Sequence, residues 1–116
     1  MKIFNSLEEM KPYYNEKTNT YDFIKNERWF HVSFDFDVDV KSNIKAKNIN
    51  AWDINALDIE AGNIKAMDIN AGDIIAGDIN FYGVCYAYKN IKCKSIKGSR
   101  ENAKYFCLDG EVEFVE

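Results

Sequence analysis

Ile44, Ile49, Ile54, Ile59, Ile64, Ile69, Ile74 and Ile79 recur at every fifth position without a break. Two residues after each stands a small side chain, Ala46, Ala51, Ala56, Ala61, Ala66, Ala71 and Ala76, and then Phe81. One residue before come Asn48, Asp53, Asp58, Asn63, Asp68, Asp73 and Asp78. The unit is I-x-A-x-[D/N]. Five residues of ideal helix advance about 500°, so the isoleucines would drift around its axis. On one flat strand they would alternate between faces. A chain that turns a corner every five residues keeps every Ile and its Ala on the inside. Asn, Asp and the glycines Gly62, Gly72 and Gly77 supply the corner, because they tolerate left-handed backbone. Short repeats that bury no face alone but can stack are the mark of a solenoid.

The expected fold class is therefore all-β. It is a short parallel β-solenoid over residues 41–98, three- or four-sided, of about three coils at a rise of roughly 4.8 Å each. Val84 keeps the register. The stretch 87–90 adds two residues in a bulge at one corner, after which Ile91 with Cys93 and Ile96 with Gly98 resume the pattern. Column chemistry offers a test of the number of sides. With three sides Lys45 meets Glu60, and Trp52, Met67 and Tyr82 share a column. With four sides Lys45 meets Lys65, and like charges directly opposite are unfavourable.

An exposed solenoid end is an open β-edge, so both ends need caps. The N-terminal cap is expected over residues 1–40, from a strand and a short helix. Ser6 and Glu9 have the spacing of a capping box, and Pro12 stands close behind. A further strand is expected near 20–24. Residues 29–40 alternate strictly, with Phe30, Val32, Phe34, Phe36, Val38 and Val40 on one face. His31, Ser33, Asp35, Asp37 and Asp39 take the other. This reads as a half-buried strand laid over the open end of the first coil. At 99–116, Asp109-Gly110 between two apolar runs predicts a C-terminal β-hairpin with a type I′ turn.

The period and the [D/N]-aliphatic dipeptide resemble the pentapeptide-repeat proteins, whose unit is A-[D/N]-L-x-x and whose fold is a right-handed, four-sided β-helix. The resemblance covers about half of the chain. In that family the small residue precedes the large one by two positions. Here that slot holds Lys47, Trp52, Leu57, Gly62, Met67, Gly72 and Gly77. Stretches such as 71–79 are also similar to the repeats of bactofilins, which polymerise end to end.

Little in the chain points to catalysis. His31 is the lone histidine and reads as a solvent-facing strand residue. No glycine-rich phosphate loop, serine elbow or His/Cys metal spacing appears. No catalytic, cofactor or metal residues are assigned, and the protein is read as non-enzymatic. The Asp/Asn column is read as corner chemistry rather than a metal ladder. Cys85, Cys93 and Cys107 are read as reduced thiols, with an intermolecular disulfide as the alternative. No signal peptide or membrane span is evident, and a bacterial cytoplasmic location is expected. A net charge of -4 argues against direct nucleic-acid binding, which needs clustered cations.

The candidate site is a protein-binding surface. On a strand, Asp35, Asp37 and Asp39 would stand roughly 6.6 Å apart, near the separation of neighbouring phosphates. Asp53, Asp58 and Asp68 extend the acidic surface along the solenoid. Trp52, Leu57 and Met67, at corner positions, would point outward as binding anchors. The resemblance implies a partner class, because some pentapeptide-repeat proteins mimic DNA and bind DNA gyrase. The chain is also similar to small repeat proteins of phages of low-GC Gram-positive bacteria. It is therefore read as an inhibitor that occludes a nucleic-acid-binding enzyme, either a gyrase-type DNA mimic or a phage counter-defence protein such as an anti-CRISPR. The alternative is a self-assembling scaffold of bactofilin type. A homodimer through Trp52 or through one cap fits either reading.

Overall fold

The computed structural model describes residues 2–24 and 31–115. In chain order the strands are β1 (Lys2–Phe4), β2 (Tyr14–Asn15), β3 (Thr20–Asp22), β4 (His31–Phe34), β5 (Val38–Asp39), β6 (Asn43–Asn50) and β7 (Asp53–Asn55). They continue as β8 (Asp58–Ala71), β9 (Asp73–Ile75), β10 (Asp78–Ala87), β11 (Ile91–Cys93), β12 (Ser95–Gly98), β13 (Lys104–Cys107) and β14 (Val112–Phe114). Among the described residues one short α-helix, α1 (Leu7–Met10), interrupts them near the start and runs into a 3-10 turn at Lys11–Tyr13. Apart from the small antiparallel β2–β3 pair, every pairing among the described residues is parallel.

The fold is a parallel β-solenoid of about 5 turns, and its coil has three sides. Ile44 pairs with Ile59 and Ile49 with Ile64, so each residue lies on the one fifteen positions later. Lys45 accordingly meets Glu60. A four-sided coil, the geometry implied by the pentapeptide-repeat resemblance, would need a step of twenty. Three pentads, each one short strand and one corner, close one triangular turn, and the stacking of each turn on the next fixes that number. The first face stacks Tyr21, Ile44, Ile59, Ile74, Ile91 and Val112. The second stacks Val32, Ile49, Ile64, Ile79 and Ile96. The third stacks Val38, Ile54, Ile69, Cys85 and Tyr105. All eight repeat isoleucines are at most 2% exposed. Burial of each contributes roughly 1.5–3 kcal/mol. β-branched side chains also suit the pleated wall.

Three turns were too few because the solenoid extends beyond 41–98 at both ends. The alternating segment does not lie across the open end. It turns a corner after β4 and forms a coil itself, with Val32 on Ile49 and Val38 on Ile54. Alternation in and out is what a solenoid wall also demands, so the pattern alone could not distinguish the two. Phe30 lies outside the described residues, as does the side chain of His31. The C-terminal segment is not a hairpin. β13 pairs in parallel with β10 and β14 in parallel with β11, so Asp109-Gly110 is one more corner. Gly110 lacks the positive φ that a type I′ turn requires.

The N-terminal cap differs in detail from the expected capping box. The Ser6 side chain makes no capping hydrogen bond. Glu9 Oε1 instead accepts from the Asn5 N–H at 3.3 Å. Above the first coils, Phe4, Met10 and Phe23 are buried, and Phe4 stacks on Phe34 with ring centroids 5.7 Å apart. The expected strand near 20–24 is β3, set on β6 as the first rung of its face.

The insertion is also placed differently. One extra residue enters at Tyr82–Gly83, where the register shifts between Phe81 and Val84. A second enters before Ile91, which pairs with Ile74. Val84 therefore takes the corner slot opposite Asp68, and Cys85 fills the inward column on Ile69, fully buried.

Candidate functional site

The corners hold the coils together by two sets of bonds. Backbone N–H groups donate to the carbonyl one coil below, as from Met67 to Trp52 at 2.7 Å. The Asp or Asn side chain accepts from the backbone N–H of the next coil. Asp58 Oδ1 takes the Asp73 N–H at 2.8 Å, Asn63 Oδ1 the Asp78 N–H at 3.1 Å, and Asp68 Oδ1 the Val84 N–H at 2.8 Å. These side chains satisfy donors that a turning backbone would otherwise leave unpaired. The column is thus corner chemistry, as read from sequence, although each bond crosses to the neighbouring coil. The corner glycines serve close approach rather than left-handed backbone. A Cβ on Gly77 would lie 2.5 Å from the Gly62 carbonyl oxygen, and none of the described glycines has positive φ.

The three corners carry different side chains. At the first, between the second and third faces, Asp53 stacks on Asp68. Asp37 joins this column, because its Oδ1 accepts from the Asp53 N–H at 3.3 Å. Asp35 stands beside it, accepting from Trp52 Nε1 at 3.4 Å. Burial raises the Asp53 carboxyl above the usual carboxylate range, and the charges of Asp37 and Asp68 add to the shift. A hydrogen bond from the Asp68 backbone opposes it. Next to this acidic column runs an apolar one: Trp52, Met67 and Tyr82 are 53%, 39% and 48% exposed. A shallow hollow of about 470 Å³ lies against it, lined by Ile3, Ser33, Phe34, Asp35, Asn50, Ala51, Trp52 and Met67. A second hollow, of about 220 Å³, continues it past Lys65 to Tyr82 and Ser99.

The structure therefore brings together Asp35, Asp37, Asp53 and Asp68 with Trp52 and Met67. It separates the remaining candidates. Asp39 lies on the third face opposite Asn55. Leu57 and Asp58 occupy the next corner, where Gly72 and Asp73 follow them. The three aspartates 35, 37 and 39 do not form one straight phosphate-like row, because the chain turns between β4 and β5. The acidic row runs along the solenoid axis instead, one carboxylate per coil. Tyr82 belongs to the site and was legible as the third member of the fifteen-residue column. Ile3 had no sequence signal, because it reaches the hollow only through the β1–β4 pairing.

Among the described residues no polar or charged residue is buried, and no group of three or more His, Cys, Asp and Glu is placed to hold a metal ion. Among the described residues no helix is long and apolar enough to cross a membrane. Cys85 and Cys93 are buried and Cys107 is half-buried, all as free thiols. Burial pushes the Cys85 thiol up to about 12. Comparison with known protein families, with curated proteins and with solved structures finds no match.

Proposed function

We propose that this protein is a non-enzymatic binding protein whose Trp52 corner covers the cationic surface of a nucleic-acid-binding enzyme. The carrying observation is the pairing of two columns on one rigid corner: Asp35, Asp37, Asp53 and Asp68 beside exposed Trp52, Met67 and Tyr82. Exposed aromatic and Met side chains are the usual anchors of interfaces. A row of like charges complements and steers an oppositely charged partner. Arg and Lys side chains meet both columns, through carboxylates on one side and the indole face on the other. Nucleic-acid enzymes carry such cationic tracks because they must hold phosphates. On this reading the target is either an immune effector such as a CRISPR enzyme, in phage counter-defence, or a gyrase-type enzyme bound by a DNA mimic.

The test is capture from bacterial lysate with the full chain, beside the Asp35→Asn, Asp37→Asn, Asp53→Asn, Asp68→Asn variant. Asn keeps the corner acceptors and removes only the charge. The expected result is a nucleic-acid enzyme captured by the wild type, released by competing duplex DNA and lost with the variant. Equal capture by both proteins overturns the electrostatic reading. Trp52→Ala then tests the apolar column alone.

A further inference from the structure

The two ends of the solenoid are finished differently. At the N-terminal end the interior is roofed. Phe4, Met10 and Phe23 are buried, and the Tyr13 ring packs on Phe4 and Phe23 with centroids 5.5 and 5.1 Å away. At the C-terminal end the last strand of each face, β12, β13 or β14, is paired on one side only, as β1 and β5 are at the other end, but here no buried aromatic cluster lies over the columns. Side chains in the core columns reach the surface there, with Tyr105 42% and Phe114 57% exposed. Phe106 and Leu108 beside them are exposed as well. Unpaired strand edges over apolar side chains are templates for another strand.

We infer that this end docks a second copy of the chain, head to head about a two-fold axis through the third face. The charges select that axis. The outward columns of the second, third and first faces end in Lys97, Phe106 and Glu113. A two-fold through the third face lays that face on its own copy and exchanges the other two. Lys97 then lies opposite Glu113 of the other copy, twice, and Phe106 meets its counterpart. An axis through the first face would set Glu113 against Glu113, and one through the second would set Lys97 against Lys97. Like charges directly opposite are unfavourable. In the same antiparallel register Ile96 faces Phe114 and Tyr105 faces Cys107, so the interior continues apolar across the join. The two-fold contact uses up the C-terminal end of both copies, and the buried Phe4, Met10 and Phe23 leave no apolar column open at the other, so the assembly closes at two copies.

Sedimentation of the full chain over a concentration series tests this, with circular dichroism confirming that each variant is folded. Lys97, Phe106 and Glu113 are exposed, so their substitution leaves the core intact. The wild type is expected to reach a dimer and stop there. Glu113→Lys should weaken the dimer by about tenfold or more, and Lys97→Glu with Glu113→Lys together should restore it. Phe106→Cys should cross-link into a covalent dimer under mild oxidation, because the two residues meet on the axis. A monomer at every concentration overturns the inference and leaves the end to another occupant. Open-ended growth, or a dimer indifferent to both charge changes and to Phe106→Cys, overturns it equally.

Discussion

The coils of residues 43–81 and those of 82–115 share one plan but keep it with different strictness. In the first group every rung repeats after fifteen residues, and the large inward slot is Ile every time, with Phe81 filling only the last small slot. In the second group Cys85 follows Ile69 by sixteen, Ile91 follows Ile74 by seventeen, Tyr105 follows Cys85 by twenty and Val112 follows Ile91 by twenty-one. The strands stay in parallel register all the same. Extra residues are absorbed at corners, where the chain faces water, while the inward columns hold their alignment. The register is thus set by matching apolar side chains, and chain length between them is free to vary. The cost falls on the last coil, whose columns end in partly exposed Tyr105, Cys107 and Phe114.

Thiol labelling should show the widest contrast between coils. Cys107, half-buried on the last coil, is expected to react with a disulfide reagent in the folded chain at concentrations too low for it to pair with a second copy. Cys85, one coil deeper and fully buried, should react roughly a thousandfold more slowly, since it needs the coils to open. Similar rates at both sites would mean that the outer coils fray together.

Truncation of the core should rank the two groups by stability. Ile64→Ala is expected to cost about 2–5 kcal/mol, read as a lowered midpoint in urea. Phe114→Ala, at an exposed rung, should cost below about 1 kcal/mol in a freshly diluted sample. Equal losses would contradict the picture of a strict middle and a lax end.

The smallest effect concerns the acidic column of the regular coils. Asp53→Asn keeps the acceptor and removes repulsion from Asp37 and Asp68, so it should stabilise the fold by a few tenths of a kcal/mol. The folded-state carboxyl of Asp53 binds its proton more tightly than an unfolded one. Its contribution to stability is therefore greatest below the ordinary carboxylate pKa and is lost as pH rises through the raised folded value. The stabilisation gained from Asp53→Asn should accordingly vanish in acid. A variant less stable than wild type at neutral pH would show that the charge itself holds the corner.

Much of this was readable from the chain, and the misreadings share a cause. The pentad gave the inward columns, the corners and the solenoid, because a five-residue period has few ways to bury one set of side chains. Lys45 opposite Glu60, and the Trp52, Met67 and Tyr82 column, already favour three sides over four in the sequence. The alternating run at 31–40 and the Asp-Gly pair at 109–110 were misplaced because a solenoid wall has the same local pattern as a capping strand or a hairpin. Local pattern fixes which side chains turn inward, and says nothing of which strand lies alongside. The acidic surface and the Trp52 column were read as two features, and their meeting at one corner depended on the coil count.

Sequence by itself determined the period, the buried isoleucines and the need for Asp, Asn or Gly at the corners, since these follow from burial and backbone hydrogen bonding within a few residues. The tertiary structure alone decided how many pentads close a turn, where the inserted residues go and which end stays open. Those outcomes depend on contacts between residues fifteen or more apart, where the stacking of one coil on the next selects among turns that are locally equivalent.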